Sequence, residues 1–320
     1  MGSVNTSLFV INTLSGVLGI LGNGLVSLVI IFERSMHTNT NALILHQATI
    51  DFLGSVFILA HAYLPKVDPI PQGIEGVLSC VLWNSRYFLF TLFVASTYSL
   101  IAITFERYFA IVHPYRYGRL FHGKKPIGLI LAGLWILVLT FRLYVVFQWS
   151  VSDGSCVGKP NGHGLAVIIF MFQYIIPLAL MSYMYFGIAV AISKSARRIV
   201  PTVSDQDNRN GGGESLLRAR RNTFKALLIV FVTFVLCWSL NQVLFFLHNM
   251  DWRKLSFDTT TYIISVALVS MNSCINPFIY AIKYKKFKQA MRRLFYRAAG
   301  REDRLNLTDE YPGTDQGSNQ

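Results

Sequence analysis

Long apolar runs separated by short polar segments make up most of this chain. Each run is long enough to cross a hydrocarbon core of about 30 Å, which takes roughly 20 helical residues. The runs do not alternate strictly between apolar and polar residues, so they predict helices rather than the strands of a barrel. The predicted spans are 8–32, 40–64, 81–112, 126–149, 164–193, 224–248 and 257–282. The expected fold class is an all-α integral membrane protein with a seven-transmembrane helix bundle.

Composition supports a membrane protein. Of the 320 residues, 53% are hydrophobic and 14% are charged, whereas a soluble domain carries about a quarter charged residues. A net charge of +13 would suit nucleic acid, but the basic residues fall in short blocks between apolar runs, as membrane topology predicts. We therefore expect no nucleic-acid partner.

The basic residues also predict the orientation. They are concentrated after spans 3, 5 and 7, whereas the segments after spans 2, 4 and 6 hold only Lys66, Lys159, Arg253 and Lys254. Because basic segments stay in the cytoplasm, the N-terminus is predicted to be extracellular and the tail cytoplasmic.

The outer segment before the first span contains a glycosylation sequon at Asn5, close to the membrane. The inner segment 194–223 contains Gly211, Gly212 and Gly213 and is predicted to be a flexible linker.

The four cysteines fall into two groups. Cys80 and Cys156 lie on the predicted outer side, where an oxidising environment favours a disulfide between them. Cys237 and Cys274 lie inside spans 6 and 7, where a free cysteine packs as a small hydrophobe. No Cys/His cluster has the spacing of metal ligands, so we expect no metal site other than a possible sodium site.

Several polar residues lie at similar predicted depth inside the spans. An ionisable residue at membrane depth is a candidate functional group, and Asp51 is such a residue. Oxygen-bearing side chains around it would suit a hard cation such as sodium. Alternatively, the same groups bond one helix to another without an ion. The candidates are Asn23, Asp51, Ser96, Asn272, Ser273 and Asn276.

Short motifs in each predicted span carry a family resemblance. The motifs are "GNGLV" with Asn23, "QATID" with Asp51, "ERY" at 106–108, Trp135, Pro177 with Tyr185, "CWSL" with Trp238, and "NPFIY" at 276–280. Through them the chain resembles the rhodopsin-like (class A) G-protein-coupled receptors over nearly its whole length. One motif alone would be weak, but all of them in order with the predicted topology are specific.

The resemblance implies a plasma-membrane receptor that converts binding of an extracellular ligand into activation of a heterotrimeric G protein. Arrestins and receptor kinases are further implied partners. The residues implied for coupling and switching are Glu106, Arg107, Tyr108, Tyr185, Trp238, Asn276, Pro277 and Tyr280. The residues implied for a sodium pocket are Asp51, Ser96, Asn272, Ser273 and Asn276.

The resemblance also implies the domain organisation. An extracellular segment, 1–7, precedes the bundle, 8–282. An amphipathic eighth helix on the cytoplasmic face, 283–298, presents Lys and Arg that membrane lipids with anionic head groups would attract. The polar stretch 299–320 is predicted to be a disordered cytoplasmic tail.

Some positions depart from the family pattern. Leu240 stands where helix 6 of the family has a proline, which puts the usual kink in question. Arg220 stands where many members carry an acidic partner for Arg107, and two like charges cannot form that ion pair. This substitution predicts raised basal signalling. The spacing from Cys80 to Arg107 is also wider than is usual in the family.

The ligand is less constrained by the sequence. Leu89 stands where amine receptors carry an aspartate, and span 7 has no lysine for retinal, so neither ligand class is expected. A small peptide is the first candidate, because "CWSLNQVLFFL" is similar to peptide receptors. The predicted pocket residues are Asn84, Arg86, Tyr87, Arg142, Gln173, Asn241, Gln242 and Phe245.

An anionic lipid or small acid is the second ligand candidate. Arg86 and Arg142 lie in outer halves of spans, where they would bind a carboxylate or phosphate. Alternatively, they extend to the outer surface or pair with Glu75 or Asp153.

Two other protein classes are less consistent with the sequence. An ion-coupled transporter would use Asp51 on a conduction path, but no internal repeat is visible. An intramembrane aspartyl protease needs two facing carboxylates, and Asp51 lacks a second one at its depth. We therefore do not expect an enzyme.

Overall fold

The computed structural model describes residues 2–123, 125–159, 161–199, 210–253 and 259–299. The side chains at 2–5, 197–199, 210–220, 223, 285 and 298 are not among those described. The sequon at Asn5 and the charge reversal at Arg220 therefore fall outside the described side chains. Of the tail predicted over 299–320, only Ala299 is described.

Helices make up nearly all of the described chain, joined by turns and one β-hairpin. The helices are α1 Gly2–Phe32, α2 Asn39–Tyr63, α3 Ile74–Leu78, α4 Tyr87–Val112, α5 Pro114–Leu120, α6 Lys125–Arg142, α7 Tyr144–Gln148, α8 His163–Phe170, α9 Ile176–Ile199, α10 Asn210–Asn249, α11 Thr260–Lys283 and α12 Lys285–Ala298. The hairpin pairs β1 Trp149–Ser152 antiparallel with β2 Ser155–Gly158. Within the described ranges, 7 helical segments are long and apolar enough to cross a membrane, which confirms the predicted fold class.

The bundle is apolar outside and polar inside. Leu21, Leu129 and Phe186 are 66%, 75% and 72% exposed on three different helices, where lipid would cover them. Asp51 and Asn276, by contrast, are buried in the centre. This distribution follows from the bilayer, which solvates hydrocarbon well and leaves polar groups to find partners within the protein.

Glycines bring α1 close to its neighbours. The Cα of Gly16 faces Leu59 on α2, and Gly22 faces Pro277 on α11. Gly19 packs against Ser55 and Cys274 at once, so that a β-carbon there would overlap the Ser55 hydroxyl. Small residues at such contacts let helix backbones approach closely in a membrane, where packing rather than hydrophobic burial drives association.

The start of the third span differs from the prediction, because α4 begins at Tyr87 rather than near residue 81. A π-helical turn, Ser79–Asn84, precedes it, and Arg86 adopts the left-handed conformation with φ 58°. The wider turn and the break take up the extra residues between Cys80 and Arg107. Cys80 still reaches Cys156 in β2, and the predicted disulfide is formed. We call this end of the bundle the disulfide end.

Three other spans also differ from the prediction. The fourth breaks at Leu143 between α6 and α7. In the fifth, a π-helical turn, Met171–Ile175, ends two residues before Pro177 and accommodates its missing backbone N–H. In the sixth, α10 continues without a break through Leu240 and extends back to Asn210, into the predicted linker. Once a helix exists, each further residue adds a hydrogen bond at little entropic loss, so the helix propagates beyond the membrane.

The opposite end, which we call the basic end, carries the amphipathic helix α12. Phe287 and Ala290 on its apolar face are 2% and 1% exposed, and they pack into the bundle. Arg297 bonds Glu33 after α1 with an Nη1–Oε2 distance of 3.3 Å. The segment expected over 283–298 is therefore a helix that packs against the end of α1.

We predict that Gly19→Val destabilises the bundle whereas Gly133→Val does not. Both glycines are helical, but a β-carbon at Gly133 would meet no atom within 4 Å. Overpacking an interface costs about 1–3 kcal/mol. Thermal unfolding of the purified variants should show a lower midpoint for Gly19→Val alone, and equal midpoints would contradict the close approach of α1 to α2.

Candidate functional site

Asp51 lies at the centre of a buried polar cluster. Its side chain is 1% exposed. Its carboxylate accepts hydrogen bonds from Gln47 Nε2 at 2.8 Å, Ser96 Oγ at 2.8 Å and Asn276 Nδ2 at 3.1 Å. These donors come from α2, α4 and α11, so one carboxylate joins three helices. We call Gln47, Asp51, Ser96 and Asn276, which these hydrogen bonds join, the Asp51 cluster.

Two side-chain oxygens of the polar core remain unpaired. Gln47 Oε1, in the Asp51 cluster, and Ser273 Oγ, on α11, are buried and have no hydrogen-bond partner among the described residues. An unpaired buried oxygen is unfavourable, and a cation beside Asp51 would satisfy that of Gln47. The cluster holds one carboxylate with neutral oxygens, which fits a singly charged hard cation such as sodium. No group of three or more His, Cys, Asp or Glu that suits a metal occurs in the described part of the chain.

Other predicted members of the polar core have different partners. Asn23 donates to the carbonyl oxygens of Gly19 at 3.0 Å and Ser273 at 2.8 Å, and thereby ties α1 to α11. Asn272 is buried but makes no hydrogen bond to Asp51. Gln47 was missed from the sequence, although it lies one helical turn before Asp51 and therefore on the same face.

Glu106 and Arg107 form a second cluster at the basic end. Arg107 donates through Nε and Nη2 to the Glu106 carboxylate, at 2.6 and 3.0 Å. Glu106 is fully buried, and it also accepts from Thr40 Oγ1 and from the Tyr117 hydroxyl at 2.6 Å. Neither Thr40 nor Tyr117 was predicted as a partner. Thr40 lies 66 residues before Glu106 in the sequence, and Tyr117 lies on a separate short helix, α5.

Tyr117 remains a hydrogen-bond donor at neutral pH. It lies on α5, outside the membrane-spanning segments. Burial, and then the hydrogen bond to Glu106, raise the pKa of Tyr117 to about 12. The hydroxyl therefore keeps its proton, and Glu106 stays held by α2 and α5 as well as by Arg107.

The remaining predicted switch residues lie along α4, α9, α10 and α11. The Tyr185 hydroxyl donates to the Leu227 carbonyl oxygen at 2.9 Å and accepts from Thr104 Oγ1 at 3.3 Å. Tyr108 packs beside Tyr183, with ring centroids 6.1 Å apart. Pro277 lies inside α11. The Tyr280 hydroxyl and the Trp238 Nε1 are buried without a partner among the described side chains.

A cavity of about 360 Å³ opens at the disulfide end. Leu89, Phe93 and Trp238 form part of its apolar lining, and Trp238 packs edge-to-face on Phe93 with centroids 5.9 Å apart. The predicted pocket residues that line it are Arg86, Arg142, Gln173, Asn241, Gln242 and Phe245.

Two predicted pocket residues do not line this cavity. Asn84 bonds the backbone of Val67 through both ends of its amide, at 3.0 Å each. The ring of Tyr87 lies 5.4 Å from the Arg142 guanidinium carbon, and Tyr87 is not among the residues that line the cavity. Asn84 therefore supports the loop before α3 rather than the cavity.

Similar proteins of known function are receptors. The sequence matches the family described as "7 transmembrane receptor (rhodopsin family)" over residues 22–280. It is 28% identical over 296 residues to the allatostatin-A receptor of Bombyx mori, covering 88% of this chain and 77% of that receptor. It is 28% identical over 296 residues to the human adenosine receptor A2a, covering 87% and 69%. It is 27% identical over 306 residues to the substance-K receptor of Rattus norvegicus, covering 90% and 75%.

We predict that Tyr117→Phe destabilises the basic end. The change removes a hydrogen bond to a buried carboxylate, which contributes about 1.5–3 kcal/mol. Tyr115→Phe is the matched control, because Tyr115 lies on the same helix and is 92% exposed. Thermal unfolding should show a lower midpoint for Tyr117→Phe, and a midpoint equal to that of Tyr115→Phe would contradict the observed contact.

Proposed function

The chain belongs to the rhodopsin family of seven-transmembrane receptors, and we propose that it converts ligand binding in the cavity into activation of a heterotrimeric G protein. This proposal rests on α10, which extends from the cavity to the hydrogen bond of Tyr185. Trp238 on α10 lines the cavity, while Leu227 on the same helix accepts the Tyr185 hydrogen bond. About three helical turns separate the two positions. A ligand that moves Trp238 therefore acts on the contact between α9 and α10.

The unpaired polar groups support a second arrangement of the bundle. Trp238 Nε1 and the Tyr280 hydroxyl are buried without partners in the described structure. A buried unpaired donor is unfavourable by about 1–3 kcal/mol. An arrangement that pairs these groups would gain that free energy, and a ligand selects it through its higher affinity for that state.

Arg107 is the residue that we propose meets the G protein. In the described arrangement the Arg107 side chain is 22% exposed, and its guanidinium is bonded to Glu106. Movement of α10 away from α4 would open the basic end, so that Arg107 can exchange its neighbour for a partner from the cytoplasm. Tyr185 and Tyr280 would support that open arrangement. Tyr108, Asn276 and Pro277 would contribute to the same switch.

We propose sodium as an allosteric ion of the Asp51 cluster. Asp51, Ser96, Ser273 and the side-chain oxygen of Gln47 would hold it, with Asn272 and Asn276 beside it on α11. The ion would supply a positive charge that stabilises the carboxylate and the arrangement of helices around it. The unpaired oxygens of Gln47 and Ser273 support this proposal.

A small peptide is the first ligand that we propose. Two of the relatives above are named for peptides, allatostatin-A and substance K, whereas the adenosine receptor is named for a nucleoside.

The protein lies in the plasma membrane as a multi-pass receptor, and we propose that its N-terminus and the Cys80–Cys156 disulfide face outward. Arrestins, receptor kinases and anionic lipids along α12 remain predicted partners.

We predict that Arg107→Ala abolishes ligand-free G-protein activation. The assay measures basal activation of a panel of Gα subtypes in cells at matched surface expression. Basal activity is expected in the unmodified receptor because of the charge reversal at Arg220. Arg253→Ala is the control, because Arg253 is exposed at the opposite end. Basal activation that persists in Arg107→Ala would contradict the role of Arg107. Silence of the unmodified receptor across the panel would contradict raised basal signalling.

We predict that sodium stabilises the receptor through Asp51. A ligand that binds only the folded state adds about 1.4 kcal/mol at ten times its Kd. The melting temperature of the purified receptor should be higher in sodium chloride than in N-methylglucamine chloride at equal ionic strength. Asp51→Asn should remove this difference, and Asp153→Asn, an exposed control, should keep it. Equal melting temperatures of the unmodified receptor in both salts would refute the sodium site.

A further inference from the structure

Arg142 is a buried guanidinium with neutral partners only. The residue is 4% exposed at the end of α6. Its Nε donates to Thr91 Oγ1 at 3.3 Å, and its Nη1 donates to the Tyr144 hydroxyl at 3.0 Å. The rings of Tyr87 and Tyr144 each lie 5.4 Å from the guanidinium carbon. These contacts orient the side chain but bring no negative charge.

No carboxylate balances this charge. Among the described residues, no Asp or Glu lies within ion-pair distance of Arg142 or Arg86. The pairing with Glu75 or Asp153 that the sequence left open is therefore not formed, and the burial of Arg142 rules out extension to the outer surface. A buried charge without a counter-charge is costly, since water no longer solvates it.

The free part of the guanidinium belongs to the cavity. Arg142 lines the cavity, and Nη2 makes no hydrogen bond to any described residue. Nη2 is not one of the buried side-chain atoms that lack a partner, so part of its surface is accessible. An arginine has five N–H donors in a planar fork that matches a carboxylate. The donors that remain are thus open to a ligand in the cavity.

The rest of the cavity has the same electrostatic character. Arg86 lines it as a second cation, and its described lining contains no acidic side chain. Amide side chains such as Gln173 and Asn241, together with the apolar floor at Phe93, complete it. A cationic ligand would be repelled here, whereas an anionic group would receive charge-assisted hydrogen bonds.

We propose that the ligand of this receptor carries a carboxylate that pairs with Arg142 inside the cavity. The inference rests on the proposed function, because it names the chemistry of the ligand that the receptor would bind. A carboxylate carries one negative charge and matches the one buried guanidinium, whereas a phosphate monoester carries about −1.5 to −2. Arg86, at the exposed edge, attracts the same group as it enters. The apolar part of the ligand then lies toward Phe93 and Trp238.

The test compares matched acids and amides on the purified full-length receptor. The probes are 3-phenylpropionate against 3-phenylpropionamide, and the dipeptide Leu-Phe as free acid against its amide, with phenyl phosphate as a third arm. Kd is measured by thermal shift at constant ionic strength. Each acid should bind at least about tenfold more tightly than its amide, since a charge-assisted hydrogen bond is stronger than a neutral one.

Variants at Arg142 decide whether the preference arises there. Arg142→Gln should remove the acid preference, and Arg142→Lys should keep part of it, because the charge remains without the fork. The lysine variant also serves if the glutamine variant does not fold. Arg253→Gln, at an exposed position of the same end, is the control that should keep the full preference.

Each outcome bears on the proposal. Equal affinity of acid and amide, including no binding of either, would overturn it, as would a preference that survives Arg142→Gln. Tighter binding of phenyl phosphate than of both acids would replace the carboxylate by a phosphate. A greater preference in the dipeptide pair than in the phenylpropionate pair indicates a peptide carboxylate as the source, and the reverse indicates a small acid. The binding assay needs no G protein, so a failure of G-protein activation is seen separately.

Discussion

The absence of water in the bilayer is the constraint on which the rest of this structure depends. Each polar group inside the bundle must find its partner on another helix. Asn23, Asp51 and Asn276 meet this need by bonding α1, α2, α4 and α11 together at one level. Glycines at Gly16 and Gly19 allow α1 to approach closely enough for these short side chains to reach.

The degree of pairing differs along the bundle. At the basic end, the carboxylate of Glu106 is saturated by donors from Thr40, Arg107 and Tyr117. Trp238, at the cavity, and Tyr280, in the last turn of α11, keep unpaired donors. A bundle with unpaired buried donors has free energy available for a second packing. One of these donors lies at the cavity and the other near the basic end, so that a second packing would involve both regions.

The disulfide end owes its shape to irregular backbone. The π-helical turn before α4 and the left-handed Arg86 direct the start of this helix toward the cavity, while the disulfide holds the β-hairpin above it. Arg142 then lies buried between α4 and α7 with tyrosines around it. A cavity with two cations and no described acid follows from this arrangement, and its charge restricts the ligands that it can hold.

The sequence by itself determined the seven helices, their family and most motif residues, because run length, charge and motif spacing are local properties of the chain. It also indicated Asp51 as a central residue. Only the tertiary structure decided the partners: Gln47 and Tyr117 as donors, Asn84 as a loop support, and Arg142 as buried rather than surface-paired. The physical reason is distance along the chain. The bond from Asn276 to Asp51 joins positions 225 residues apart, and that from Asn23 to Ser273 joins positions 250 apart. Such contacts exist only once the helices have packed.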